Sequence, residues 1–437
     1  MTAARQTNVV LGSSPSGHGA GMDVLQKSLD RALTTLPELF LERSIARKLQ
    51  DQGIKAPKSL SHKIARHILS GKTQSLRHKV SSKHPDITLT FNEADANATT
   101  RDIQDFLKTG LPKLLPQLAS RISKGVLGSL KSRWAEEHAL QNADLAGFRE
   151  RLEERWAKPL NQLRMLLTIA REWGGAVYAR QNSTKGRNKV LKHILLRLHV
   201  RGCQVMDEII CLLENGFADG AMARWRTLHE LAVVADVISQ HGNSIAQRYL
   251  AHQAVESKRA MNKYMSCCAL LGFRPLSDRE VKKITKAHEA AVAKYGKDFD
   301  SDYGWATHHL KKKRVTFADL EAEAGRADMR SYYQMANDNV HAGVKSLFIR
   351  LGLLEDYEGL LAGRSNSGLT DPGQNAAHTL TQLSVLVCLS APIFDDLVTA
   401  QLMRLLRNEI PKSFSRAHLR LRKDDKQFRA AMKTADR

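Results

Sequence analysis

Acids, aromatics, cysteines and long apolar runs are all scarce in this chain. Its 437 residues hold 45 Asp or Glu against 67 Lys or Arg, a formal charge of +22. Such an excess points to a polyanionic partner: nucleic acid first, an anionic membrane surface second. Aromatics are sparse at 6%, yet hydrophobics at 42% allow ordinary cores, so this is not a disordered protein. The five cysteines are an odd number without a C-x-x-C pair, which excludes a disulfide framework. Cys203, Cys211, Cys267, Cys268 and Cys388 read as reduced core residues of a cytoplasmic protein. The first residues lack a basic stretch followed by an apolar core, so no secretory leader is expected. The most apolar run, Leu383 to Phe394, is too short to span a bilayer and is interrupted by Pro392.

What the chain does contain is helical periodicity. Residues 1–22 are an expected flexible arm. Residues 23–84 form a basic helical region that Asp23 can cap. Lys63, Arg66, Lys72, Arg77 and Lys79 are its expected nucleic-acid contacts, and its short pieces around Gly53 and Pro57 have the outline of a helix-turn-helix. Gly71-Lys72-Thr73 ends like a phosphate loop, but Arg66 stands where the first glycine is required. Residues 85–182 read as a helical domain with one candidate strand, Asp86–Phe91, for which an extended linker is the other reading. Helix is expected from Thr99 onward, with breaks at Gly110, Pro112, Gly125 and Gly128, a kink or new start at Pro159, and a loop at Gly174-Gly175. A second helical domain spans 188–410, followed by a basic tail over 411–437. Its helices are expected over 218–240 and 245–271, from a Ser277 cap, from a Thr316 cap, over 330–350 and over 375–409. The fold class is all-α: a multi-helix bundle behind a basic helical N-terminal region.

Two constellations could carry chemistry. Arg226 and Glu230 lie one turn apart on a largely apolar helix; the plain alternative is a helix ion pair. Tyr333, Asn337 and His341 are spaced by four, so a helix puts them in one file, with Arg330 near the same edge. An imidazole there can move a proton, an amide can hold a phosphate oxygen, and an arginine can offset developing charge. Asp338 could orient His341; the plain alternative is a packing hydrogen bond. The run Lys311, Lys312, Lys313 and Arg314 adds positive charge for a substrate. No metal or cofactor is implied. His229-Glu230 and His288-Glu289 open like H-E-x-x-H, but Val233 and Val292 stand where the second histidine belongs.

The order Arg226-x-x-x-Glu230, Tyr303-Gly-Trp-Ala306, Tyr332-Tyr333 and Val340-His341-Ala-Gly343 resembles an uncharacterised bacterial all-helical domain family over roughly 188–405. That layout is in turn similar to the HEPN superfamily of helical bundles, often dimeric, metal-independent ribonucleases of antiphage and toxin systems. Asn337-x-x-x-His341 matches the superfamily's polar residue and histidine. Ala336 occupies the place of its arginine, for which Arg226 would have to substitute. The resemblance implies that His341, Asn337, Arg226 and Glu230 cleave RNA, while Tyr333, Arg330 and Lys311 to Arg314 bind it. RNA ahead of DNA and further copies of the chain are the implied partners, with no membrane. A non-catalytic nucleic-acid-binding protein is the alternative, and an assembly protein pairing its 87–91 strand between copies is a third.

Overall fold

The computed structural model describes residues 18–53, 58–71, 88–182, 188–354, 360–389 and 392–435. Among them there is no strand. The helices are α1 (His18–Thr34), α2 (Leu36–Asp51), α3 (Lys58–Ser70), α4 (Glu93–Asp105), α5 (Leu111–Asn182), α6 (Lys189–Glu214) and α7 (Ala218–Cys267). They continue with α8 (Asp278–Tyr295), α9 (Thr307–Leu310), α10 (Phe317–Glu323), α11 (Arg330–Asp338), α12 (Val344–Phe348), α13 (Thr370–Cys388) and α14 (Phe394–Ala435). The chain divides into two compact units, with the boundary between Asp144 and Leu145 inside α5.

In the N-terminal unit, α2 and α3 enclose a small core of Leu41, Ile45, Leu49 and Ala65. The described end of the candidate strand, residues 88–91, has no regular secondary structure and pairs with no strand among the described residues. Its alternation lays Leu89 and Phe91 on the α2–α3 core instead. Lys48 fixes it there, donating to the Thr90 carbonyl at 3.0 Å and to Asp95 at 2.5 Å. The following helix starts at Glu93, earlier than Thr99, because Asn92 and Asp95 close a capping box.

The expected breaks in the next segment do not occur. A five-residue π-turn, Phe106–Gly110, leads into α5, which runs through Pro112, Gly125, Gly128, Pro159 and Gly174-Gly175. A glycine costs a helix only about 1 kcal/mol. Near Pro159 the burial of Trp156, Leu160, Leu163 and Leu166 outweighs the lost backbone bond.

The C-terminal unit is built on the core of α6, α7 and α13, with the second half of α5 and α14 packed on the same cluster. The α7 segment is two helices joined at Gly242, whose φ of 74° and ψ of −151° break the ladder where the Gly242-Asn243 stop was expected. Ser277 with Glu280, and Thr316 with Asp319, form the expected capping boxes of α8 and α10. The last expected helix, 375–409, is instead two: α13 ends at Cys388, and α14 begins at Phe394 just past Pro392. The basic tail is no tail, because α14 continues through Pro411 to Ala435. Cys203, Cys268 and Cys388 are buried as expected, whereas Cys211 is exposed and Cys267 half-exposed.

One buried polar contact gives the core a pH dependence. His199 is 1% exposed and its Nε2 lies 3.0 Å from the Ser384 hydroxyl. Burial pushes its pKa down from 6.5 to about 4. Between those values the unfolded chain binds a proton that the folded chain refuses. His199 therefore withholds on the order of 3 kcal/mol as pH falls from 6.5 toward 4, and contributes fully above 6.5. Urea unfolding should show wild type losing more stability than His199→Gln on acidification across that window.

Candidate functional sites

Arg226 and Glu230 share one face of α7, and α11 brings Tyr333 onto them. Arg226 Nε donates to Glu230 Oε1 at 2.9 Å and to the Tyr333 hydroxyl at 3.1 Å. Tyr333 donates to the same carboxylate oxygen at 2.7 Å. The Arg226 and Arg330 guanidiniums stand 5.0 and 5.3 Å from the Tyr333 ring centroid. Tyr333 is buried, and that burial, followed by its hydrogen bond to Glu230, raises its pKa and keeps its hydroxyl protonated.

Beneath this trio lies a second pair not expected from sequence. His229 and Glu321, each 1% exposed, meet at 3.0 Å. Arg330 donates to the other Glu321 oxygen at 2.5 Å. Phe317 stacks on Tyr333 at 4.8 Å and sits edge-on to His229. Burial is the largest effect on His229 and lowers its pKa despite the carboxylate, so the imidazole is neutral. A signal for Glu321 existed: Phe317, Leu320 and Glu321 fall at i, i+3 and i+4, the inward face of α10. The cluster thus holds two guanidiniums against two carboxylates. Its charges cancel, and it ties α7 to α10 and α11.

Asn337 and His341 do not complete it. The expected 330–350 helix ends at Asp338, because Asn337, Asp338 and Asn339 are poor helix formers that compete for their own backbone. The Asn337 carbonyl accepts from both Val340 and His341 at 3.0 Å, closing the end. His341 lies just past the helix end, exposed, one hydrogen-bonded turn beyond Asn337. It lines an open concavity of about 430 Å³ with Asp219, Ser346 and Arg350. Asp338 pairs with Lys345 at 3.0 Å, and Arg350 with Asp219 at 3.2 Å. Among the described residues, no hydrogen bond joins His341 to Arg226, Glu230 or Tyr333. The Asn337 side-chain oxygen is buried without a partner.

The Tyr303-Gly-Trp-Ala306 stretch is held from the other half of α7. Arg248 donates to the Trp305 carbonyl at 3.0 Å and the Gly304 carbonyl at 3.3 Å. Lys311 to Arg314 form an exposed loop, in which Lys312 is tied to Asp319 at 2.6 Å. Of the N-terminal cations, Lys63 is exposed and Arg66 pairs with Glu38 at 2.9 Å. Lys72, Arg77 and Lys79 lie outside the described residues.

A larger uncompensated charge lies on α14. Ile410, Phe414, Ala417 and Leu421 are its buried file. Lys412, Arg416, Arg420, Lys423 and Lys426 follow on the opposite, exposed side. Helical spacing places these five within an arc of about 120° and along about 21 Å of axis. None of the five forms an ion pair among the described residues. The neighbouring acids are taken: Asp424 by Arg155 at 2.7 Å and Asp425 by Arg429 at 2.8 Å.

The fold and these sites define an all-helical protein with an internally neutral polar cluster and an exposed cationic ridge. Residues 192–358, from α6 to beyond α12, match a family of unknown function, DUF5677. No curated protein and no solved structure matches the chain. No helix among the described residues is long and apolar enough to cross a membrane.

Proposed function

We propose that this protein binds nucleic acid through its cationic surfaces, chiefly the outer face of α14, and that binding does not require strand cleavage. The observation that carries this is the file Lys412, Arg416, Arg420, Lys423 and Lys426, exposed and unpaired along one ridge. Cations spaced by three or four residues on a helix recur about every 5 Å along its axis, a row that suits a phosphate backbone better than a single small anion. The resemblance to RNA-acting bundles favours RNA. Neutralising all five to glutamine should weaken RNA binding by on the order of 100-fold at physiological salt. It should also flatten the salt dependence, since each single-strand phosphate contact adds about 0.7 to the slope. Unchanged affinity and slope in the fivefold variant would remove the reading.

A HEPN-like endoribonuclease is the second reading. What favours it is that Arg226, Glu230, Tyr333 and Arg330, from two helices far apart in sequence, do meet. Cleavage would then need His341 to act on a phosphate held by Arg226 or Arg350. The same RNA preparations should be scored for cleavage with His341→Ala: cutting by wild type that the variant loses supports this reading, and intact RNA with both supports binding alone.

A further inference from the structure

The stretch Phe106 to Ala135 contains no Asp or Glu and six cations: Lys108, Lys113, Arg121, Lys124, Lys131 and Arg133. All six are exposed, and none has an ion-pair or hydrogen-bond partner among the described residues. The same stretch carries an unpartnered apolar stripe. Leu111, Leu114, Leu115, Leu118, Ile122 and Val126 recur at three- and four-residue steps, so they fall within an arc of about 120°. Leu114, Leu118, Ile122 and Val126 are 36–43% exposed although no polar partner gives them reason to face water. Lys113, Lys124 and Lys131 stand on the far side of the helix from that stripe.

We infer that residues 111–135 of α5 form an amphipathic helix that lies along an anionic lipid surface. Charge decides among the possible occupants. A second copy would bring six cations against six, with no acid in either stretch to answer them. A nucleic acid would satisfy the lysines but leave the leucine stripe in water. An anionic bilayer answers both: its acyl boundary takes the stripe and its headgroups take the lysines. Leu127 and Trp134, 51% and 52% exposed, lie outside the stripe toward the lysines, and with six charges in the stretch this helix rests on the membrane and does not cross it. The stretch belongs to the N-terminal unit, not to the unit that carries the α14 ridge, and the inference departs from the sequence expectation of no membrane.

Flotation of the full chain with phosphatidylcholine vesicles, with and without phosphatidylserine, tests this. Wild type should float only with the phosphatidylserine vesicles, and less at high salt. The triple variant Leu114→Glu, Leu118→Glu, Ile122→Glu should not float, and its exposed positions leave the fold unchanged by circular dichroism. The triple variant Lys113→Gln, Lys124→Gln, Lys131→Gln should partition roughly 100-fold less, at about fivefold per lysine. Neutralising the α14 ridge should leave flotation largely intact. Flotation by the leucine variant overturns the inference. So does a wild-type dimer in sedimentation that the leucine variant converts to monomer, because the stripe is then filled by a second copy. Loss of RNA binding in the leucine variant, with no wild-type flotation, also overturns it.

Discussion

Gly304→Ala should destabilise the C-terminal unit by about 4 kcal/mol or more, the range reserved for changes that the backbone cannot absorb. A Cβ at Gly304 would stand 2.8 Å from the Phe299 Cα and closer still to the Phe299 carbonyl. Backbone cannot rotate aside as a side chain would. The Gly304 and Trp305 carbonyls are also the acceptors of Arg248, which is 8% exposed and lies over the Tyr295 and Phe299 rings at 4.9 and 5.2 Å. Moving Gly304 outward would leave that guanidinium short of acceptors in a buried setting. The expected readout is a melting temperature lower by on the order of 10 °C. Gly325→Ala is the useful contrast: Gly325 has a φ of 66° but open space at its Cβ. It should cost only about 1 kcal/mol. Equal effects of the two would show that the close approach of Phe299 is not what Gly304 serves.

Glu321→Ala should cost about 3 kcal/mol, because it removes the shared acceptor of a buried imidazole and a guanidinium. The figure is placed low in the range for broken buried pairs, since Arg330 is 39% exposed and can turn to water. Glu321→Gln keeps one carbonyl oxygen and should lose about half as much. The pair separates two roles for the cluster. If Arg226, Glu230, Tyr333, Glu321 and Arg330 lock α7 to α10 and α11, both variants lose stability while the folded protein keeps its RNA affinity. If the cluster itself grips phosphate, RNA affinity falls further than stability at a temperature where both variants remain folded. Charge balance favours the first outcome: two cations, two carboxylates and a neutral imidazole leave no net field for an anion.

The local parts of this fold were legible because their causes lie within four residues. Ser277 finds Glu280 and Thr316 finds Asp319 along the chain, so both capping boxes follow from spacing. Gly242 breaks α7 through its own φ. The meeting of Arg226 with Glu230 was legible for the same reason. The continuity of α5 was not: at Pro159 the burial of Trp156, Leu160 and Leu163 overrules the break, and a glycine such as Gly125 or Gly128 costs a helix only about 1 kcal/mol. The expected 330–350 helix stopped at Asn337 to Asn339, where side-chain competition for the backbone outweighed a helical period that looked sound on either side.

By itself, the sequence determined the helical class, the cationic excess and most helix starts. These depend on composition and on contacts between near neighbours in the chain. Tertiary structure alone decided which charges remain to act. Glu321 cancels Arg330 and sequesters His229 because α10 packs on α7, and the burial of Phe414 and Leu421 turns five lysines and arginines of α14 outward. Whether a charge is answered depends on what lies within a few ångströms of it, and folding sets those distances between residues as far apart in the chain as Arg155 and Asp424.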